Sequence, residues 1–420
     1  MATIAIAGAG LAGRLLAWTL ARTGHHVEVF DTSPGPEPAF DAQGAAAFSA
    51  AGMLSPLAEQ EQGGAPIAAL GWRSLALWPG IVAALSHRKS EVTSEARSTP
   101  APPSVPPRID RSLLRSDRSL PRIDRSLLRI DGSLLLSHRA DLGAAQRALM
   151  RMPGAEALDA EALRAHEPML APGLRGWLLP GEGLIAPVPA MAALHDDAHA
   201  AGVRWQWSRT VDQVLPGELH FAEGARWRGD WAIDARGLGA RPPLPLRGVR
   251  GEIVTLSLPG HGLRRPVRLL HPRHRVYLVP RADDELVVGA SEIESEDRSP
   301  VSLRSAVELM AAAQSVLPAL SEARIVRLDR HLRPALPDNR PFTHHEPGLL
   351  RLNGLYRHGW LLAPALVERL LDEAGLADLA ALAGASANGA SANAADANGA
   401  DANGAVARAP TSVPFVEKSP

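Results

Sequence analysis

The stretch that decides the fold is residues 3–31, TIAIAGAGLAGRLLAWTLARTGHHVEVFD. Thr3 to Ala7 is a short apolar run, Leu11 to Thr23 has helical character, and His26 to Asp31 alternates between apolar and polar residues. Glycines separate the first run from the helix. The stretch therefore predicts a β-strand, a glycine-rich turn, an α-helix and a second β-strand, which together form a βαβ unit.

The glycine turn has the G-x-G-x-x-G pattern of a dinucleotide-binding site. Its glycines are Gly8, Gly10 and Gly13, and Asp31 follows Gly13 by 18 residues at the end of the second strand. Glycines let the backbone approach a pyrophosphate, the helix N-terminus offers free N–H groups, and the acidic residue accepts hydrogen bonds from ribose hydroxyls. This pattern predicts a dinucleotide cofactor but does not distinguish FAD from NAD.

Length and composition limit the remaining possibilities. The chain has 420 residues, 46% of them hydrophobic, which is enough for two domains. A net charge of -1 provides no overall field for nucleic acid, and we expect no nucleic-acid partner. The N-terminus has no basic region and no long apolar run, so we expect neither a signal peptide nor a membrane span. The absence of cysteine fits a reducing compartment, and we expect a cytoplasmic location. Homo-oligomerisation stays open.

Two segments have unusual composition. Residues 86–139 contain a proline- and serine-rich run and four tandem seven-residue copies, RIDRSLL, RSDRSLP, RIDRSLL and RIDGSLL, which span 108–135. The heptad spacing of their apolar residues would suit a short amphipathic helix, but Pro121 would break it. Composition favours a disordered insertion over 86–139, and the alanine-, asparagine- and glycine-rich end of the chain predicts a disordered tail over 376–420.

Between these segments the chain has ordinary globular texture with mixed strands and helices. Residues 301–319 predict a helix. Strands are predicted at 203–207, 231–234, 250–257, 276–280 and 286–290.

Five further segments, in family order, resemble the D-amino-acid-oxidase family of flavoproteins, and within it the glycine oxidases of thiamine biosynthesis. They are AAAFSAAGMLSP (45–56), IDARGLGA (233–240), VYLVPRADDELVVGASE (276–292), LRPALPDNRP (332–341) and GLYRHGWLLAP (354–364). The resemblance covers about 1–85 and 140–375, and the repeats and the tail have no counterpart in it.

The resemblance implies an α/β fold with two domains. A Rossmann-type FAD-binding domain would be built from the discontinuous segments 1–85, 178–246 and 336–375. A mixed α+β substrate domain with an antiparallel sheet would be built from 140–177 and 247–335. The FAD would be non-covalent, because the chain has no cysteine for a thioether link.

The resemblance also implies which residues contact FAD, from the diphosphate and the adenosine to the flavin. These residues are Gly8, Gly10, Leu11, Ala12, Gly13, Asp31, Thr32, Ala51, Gly52, Met53, Val211, Arg357, His358, Gly359, Trp360 and Leu361.

Three residues are implied on the substrate side. Arg357 would pair bidentately with the carboxylate of an amino acid, Tyr277 would donate a hydrogen bond to it, and Arg333 would line the site. Such a grip holds the α-carbon over the flavin for hydride transfer. The expected reaction converts glycine or a similar small amino acid to the imine, with oxygen as acceptor and hydrogen peroxide as product. The alternatives are a D-amino-acid or sarcosine oxidase or dehydrogenase, and an FAD-binding protein without turnover.

The sequence departs from the family pattern at three positions. Leu355 stands where many glycine oxidases have histidine, His358 where they often have asparagine, and Asp31 where glutamate is commoner.

No histidine cluster has a recognised ligand spacing, so we predict no metal site.

Overall fold

The computed structural model describes residues 1–40, 44–95, 127–271 and 275–384, with only the backbone described over 86–95. The strands are β1 Thr3–Ala7, β2 His26–Phe30, β3 Met53–Leu54, β4 Leu128–Arg129, β5 Ser133–Ser137, β6 Glu156–Leu158, β7 Arg175–Leu179, β8 Gly183–Ile185, β9 Arg204–Gln206, β10 Val211–Leu215, β11 Glu218–Phe221, β12 Arg226–Arg228, β13 Trp231–Asp234, β14 Arg247–Ser257, β15 Val267–Leu270, β16 Arg275–Pro280, β17 Glu285–Gly289, β18 Arg324–Ala335, β19 Phe342–Glu346 and β20 Leu349–Asn353. The helices are α1 Leu11–Arg22, α2 Pro56–Glu95, α3 Leu142–Leu149, α4 Ala160–His166, α5 Pro187–Ala200, α6 Leu303–Val316, α7 Gly359–Glu373 and α8 Leu379–Leu382.

The predicted βαβ unit forms the centre of a six-stranded sheet with the order β19-β20-β13-β1-β2-β9. All neighbouring strands in it are parallel except β19 and β20. The predicted strands 3–7 and 231–234 are confirmed with the same bounds, and α1 ends one residue before the predicted Thr23. Parallel strands have their carboxyl ends at one edge, so the glycine turn after β1 lies beside the loop after β13.

Helices α1, α2, α5 and α7 pack with this sheet around one large apolar core. Trp78 on α2 donates from Nε1 to the carbonyl of Trp360 on α7 at 3.0 Å. The segment Pro56–Leu85 of α2 has a mean hydropathy of up to 1.3 and meets the length and apolarity of a membrane span. A core helix meets the same criteria, and 56% of this apolar stretch is buried inside the protein.

A second sheet of eight strands has the order β18-β14-β17-β16-β15-β5-β7-β6. It is antiparallel except for the parallel pair β15 and β5. Helix α6 covers it, with Leu309 and Ala313 packed in a cluster that includes Leu278 and Val288. The predicted strand 250–257 is the second half of a longer strand, β14, because the pairing with β18 extends back to Arg247.

The last repeat copy is part of the second sheet. Leu134, Leu135 and Leu136 are buried, and β5 pairs with β15 on one side and β7 on the other. The prediction of disorder is therefore wrong over 127–139, and so is the helical alternative over 127–135. It is also wrong over 86–95, where the backbone continues helix α2. Composition pointed to disorder, but SLLLS is a short apolar strand with a place between two others. The first two copies and most of the third lie outside the described residues.

A tight turn joins β4 to β5. Gly132 has a φ of 79° there, and its N–H donates to the carbonyl of Glu182 at 2.9 Å. A Cβ at this position would lie 3.0 Å from Leu178 Cδ1, so both the conformation and the space favour glycine.

The predicted tail begins too early. Leu379 on α8 is buried in the main core, and Asp378 caps this helix by accepting from Ala381 N at 2.8 Å. Residues 376–384 are therefore folded, and 385–420 lie outside the described residues. Strand β7 crosses the predicted domain boundary at 177/178, whereas β14 begins at residue 247 and β18 ends at 335. The division into two domains stays a prediction.

Candidate active site

One cavity of about 1310 Å³ runs from the glycine turn to the second sheet. It is larger than the roughly 300–1,000 Å³ of an ordinary small-molecule site, which suits a dinucleotide with a substrate beside it. The predicted site residues on its wall are Gly8, Gly10, Leu11, Ala12, Asp31, Thr32, Ala51, Gly52, Met53, Val211, Tyr277, Arg333, Arg357, His358, Gly359, Trp360 and Leu361.

Gly13 is the exception among the predicted cofactor contacts. It is not part of the cavity wall, and a Cβ on it would lie 1.8 Å from the carbonyl oxygen of Gly8. The third glycine of the motif therefore permits close packing of α1 on β1. Its predicted contact with the cofactor is corrected to a packing role.

The turn itself is open for an anion. Gly10 is the N-cap residue of α1, with no side chain capping the helix and no acidic residue in its first turn. Asp31 accepts from Ala9 N at 2.6 Å and from Ser33 N at 2.7 Å. A carboxylate has about four lone-pair sites, so Asp31 keeps acceptor capacity for a ribose while it fixes the turn.

A buried arginine that the sequence did not single out holds the turn from behind. Arg14 donates to the carbonyls of Ala9, Met191 and Pro36 at 2.7 to 2.9 Å. Burial lowers the pKa of Arg14 to about 10, which leaves it protonated at neutral pH.

The loop after β13 closes the other side of this end. Arg236 donates to both carboxylate oxygens of Asp234 and to the carbonyls of Val211 and Asp212. These bonds fix β10 beside the cavity, which explains why Val211 lines it.

Toward the second sheet, the cavity passes between two segments. One contains Ala51, Gly52 and Met53, and the other is the start of α7. Trp360 Nε1 donates to the carbonyl of Ala47, four residues before Ala51, at 3.1 Å and so ties α7 to the chain that leads into the first segment.

The far end is formed by side chains from the second sheet. Tyr277 on β16 lies directly opposite Arg268 on β15, so both side chains emerge on one face. Arg333 on β18 donates to the carbonyl of Ser291 at 3.1 and 3.2 Å. Its guanidinium occupies space that a side chain at Gly251 would fill, since a Cβ there would lie 2.3 Å from Nη2.

Tyr277 is a hydrogen-bond donor over the physiological pH range. Burial raises the pKa of its phenol, although the charges of Arg333 and Arg268 oppose the rise. The neutral phenol can donate to a carboxylate.

Arg357 enters the cavity next to a strained residue. Tyr356 has a φ of 50°, which is unusual for a bulky residue and turns the chain just before the arginine. Arg357 Nη2 donates to Glu59 Oε2 at 2.7 Å, and Nη1 lies 3.7 Å from Glu292 Oε2. The predicted bidentate face of the Arg357 guanidinium is therefore not free, because Nη2 already donates to Glu59.

Glu59 is the buried centre of a charge cluster. His358 Nε2 lies 2.9 Å from Glu59 Oε2, and Arg268 Nη1 lies 3.4 Å from Oε1. Arg357 Nε also lies 3.1 Å from His358 Nε2, but this nitrogen cannot accept from Arg357 while it donates to Glu59. Burial would raise the pKa of Glu59, but the hydrogen bond from His358 and the charge of Arg357 hold it well below its usual range.

The last repeat copy supports the helix that carries Glu59. Ser133 Oγ donates to Glu182 Oε2 at 2.5 Å, and Ala58 N donates to Glu182 Oε1 at 2.8 Å. Glu182 thus joins β5 to the first turn of α2, and burial raises its pKa. Leu135 also lies on the cavity wall.

The sequence as a whole matches a known family. Residues 3–372 match the family model described as FAD dependent oxidoreductase. The chain belongs to this family. The uncapped start of α1, the free space at Gly10 and the long cavity fit its cofactor, FAD.

Individual relatives of this FAD-dependent oxidoreductase agree over nearly the whole chain. A Rhizobium etli protein named as a thiamine biosynthesis oxidoreductase, ThiO, is 35% identical over 89% of this chain and 97% of its own length. The glycine oxidase of Geobacillus kaustophilus is 25% identical over 86% of this chain and 89% of its own. The crystal structure of a glycine oxidase from the same organism superposes with a TM-score of 0.69 and 23% identity, covering 89% of this chain and 95% of that one.

Sequence reasoning missed Glu59, Arg268 and Glu292 at the substrate end of this oxidoreductase. Glu59 is 298 residues from Arg357 and 209 from Arg268, so no local spacing connects them. Within the described ranges, no three histidine, aspartate or glutamate residues form a group that could hold a metal ion.

Proposed function

We propose that this oxidoreductase oxidises glycine or a similarly small amino acid to its imine in the cytoplasm, with molecular oxygen as the acceptor and hydrogen peroxide as the product. The observation that carries the proposal is the meeting of Tyr277, Arg333 and Arg357 at one end of the cofactor cavity. The names of its relatives support glycine as the substrate and thiamine thiazole synthesis as the use of the imine.

The cavity supports one orientation for FAD. Asp31 and Val211 lie where the adenosine would bind, and the uncapped start of α1 lies where the diphosphate would bind. The isoalloxazine would then lie between Ala51–Met53 and Gly359–Leu361, facing the arginines. Bound FAD supplies a two-electron acceptor that oxygen can reoxidise.

The residues of the chain bind and orient the amino acid. The carboxylate would take hydrogen bonds from Arg357 Nη1, from Arg333 and from the Tyr277 hydroxyl. Glu59 would keep Arg357 in place through Nη2. Three donors fixed on different strands and loops would leave the α-carbon little freedom, which is the orientation effect that hydride transfer needs.

The test is anaerobic addition of glycine to the purified yellow protein, which should bleach the flavin absorbance. Bleaching by sarcosine or D-alanine but not by glycine would reassign the substrate. No bleaching by any of them would favour an FAD-binding protein without turnover. Acid precipitation should release the FAD, because no cysteine can hold it.

Arg357→Lys should reduce kcat/KM for glycine far more than it weakens FAD binding. Lysine keeps the charge but cannot bond Glu59 and a substrate carboxylate in fixed directions at once. Losing a charge-assisted contact costs about 1.5–3 kcal/mol, or roughly ten- to more than a hundredfold in kcat/KM. Arg340→Lys, at an exposed residue between β18 and β19, is the control. Near wild-type kinetics of Arg357→Lys would remove Arg357 from the proposed anchor.

A further inference from the structure

Arg281 is a half-buried cation that the proposed mechanism does not use. It follows β16, and because side chains alternate along a strand it continues the face that carries Tyr277 and Val279. Arg281 Nη2 donates to the carbonyl oxygen of Ala51, while Nη1 is buried with no hydrogen-bond partner. Burial lowers the pKa of Arg281 to about 10, so it stays charged at neutral pH.

A second cation lies close by. The positive charge of Arg129 on β4 lowers the pKa of Arg281, because the two like charges repel. The small sheet β3-β8-β4 explains the proximity: Met53 pairs with Leu184, and Leu184 pairs with Arg129. Two positive charges therefore stand behind Ala51–Met53.

Other arginines of this region have carboxylate partners. Arg357 and Arg268 share Glu59, and Arg275 pairs with Glu61 at 2.7 Å. Within the described residues, Arg281 bonds a carbonyl and forms no ion pair, although the negative charge of Glu285 acts on it at longer range. Arg281 is not itself on the cavity wall, but it bonds Ala51, which is, so its charge lies directly behind the wall. A negative charge that forms in the cavity would therefore interact with Arg281.

We propose that Arg281, assisted by Arg129, favours two-electron reduction of the bound FAD through its positive charge, which the hydrogen bond to the Ala51 carbonyl holds in place behind the cavity wall. The inference rests on the proposed orientation of FAD, and it is independent of which substrate is oxidised. Hydride transfer brings two electrons and one proton, so it adds one negative charge to the flavin. A nearby positive charge stabilises that product.

The experiment is a potential measurement by equilibration with a reference dye, with no amino acid present. Arg281→Met, which keeps the bulk and removes the charge, should lower the equilibrium constant for reduction by about tenfold, which corresponds to about 30 mV for a two-electron couple. Arg281→Lys should stay near the wild type. Arg73→Met, which breaks the distant Arg73–Glu368 pair, is the matched control and should not move the potential.

The proposal is overturned if the equilibrium constant for reduction of Arg281→Met, obtained from its potential, lies within threefold of the wild-type value. A drop of the same size in Arg281→Lys would assign the effect to the Ala51 hydrogen bond and not to charge, which also overturns it. If Arg281→Met does not retain FAD, Arg129→Met decides the matter: a smaller shift in the same direction supports the proposal, and no shift contradicts it. Failure of glycine to bleach the flavin would leave these outcomes unaffected.

Discussion

The two ends of the cavity are built in different ways. At the glycine-turn end, Asp31 and Arg14 fix the turn through hydrogen bonds. Most of their partners lie within the first 36 residues, and one, Met191, lies farther along the chain. The substrate end joins Glu59 on α2, Arg268 on β15 and Arg357 before α7, and Glu59 lies 209 and 298 residues from the two arginines. The residues of a cofactor site can thus lie in one local sequence motif. The residues that compensate charge around a substrate come together only when the chain is folded.

The strongest way to break the comparison is to remove the strand that supports the substrate end. Leu134→Asp would bury an unpaired charge at a residue that is 0% exposed in the core of the second sheet, so we expect a loss of about 3–5 kcal/mol or a protein that does not fold. Leu215→Asp, at a leucine that is 40% exposed, should have little effect. Thermal unfolding of both variants makes the measurement. A stable Leu134→Asp protein would show that the last repeat copy is dispensable.

Two glycines sharpen the account of the cofactor end. Gly13→Ala should destabilise the protein even without FAD, because the new Cβ would overlap the Gly8 carbonyl at 1.8 Å. Gly10→Ala adds a Cβ whose nearest neighbour is 3.9 Å away, so the apoprotein should keep its Tm. Its FAD affinity should fall, since the methyl group enters the space of the diphosphate. Equal Tm losses in the two apoproteins would contradict this division of roles.

Glu59→Gln tests the substrate end by acid titration. The depressed pKa of Glu59 means that its stabilisation is present above the unfolded pKa of about 4.3 and is lost as pH falls toward the folded value. The variant should lose about 1–3 kcal/mol at pH 7 and show a flatter decline of stability below pH 4.5. Urea unfolding at pH 3.5 to 7 measures both effects. Parallel pH profiles of variant and wild type would mean that Glu59 is not the titrating centre.

Tyr277→Phe should have the smallest effect. One hydrogen bond to a carboxylate is lost, so KM for glycine should rise by about tenfold with FAD binding unchanged. Because burial raises the pKa of Tyr277, the wild-type KM should show no step from this phenol up to pH 10. A tyrosine-dependent step in KM between pH 8 and 9, absent in the variant, would contradict the buried, neutral phenol.

Much of the cofactor end could be predicted from the sequence because its determinants are local. The G-x-G-x-x-G pattern placed β1, α1 and β2 within about one residue, and the resemblance placed Tyr277, Arg333 and Arg357 on one cavity. Two kinds of feature could not be predicted. The burial of Glu59 and Arg281 depends on partners far along the chain, and the strand β5 depends on an open position between β15 and β7.

The turn at Gly132 has a consequence for inheritance. The three earlier copies carry arginine, at 111, 118 and 125, where the last copy has Gly132. A φ of 79° with little space for a side chain suits glycine and not arginine, so only the final unit has the residue that this position in the sheet requires. Replication slippage could add or remove upstream units in multiples of 21 bases (seven codons) without changing which unit supplies the turn at Gly132 and the start of β5. We expect lineages of this enzyme to differ in copy number while the glycine-bearing unit is retained.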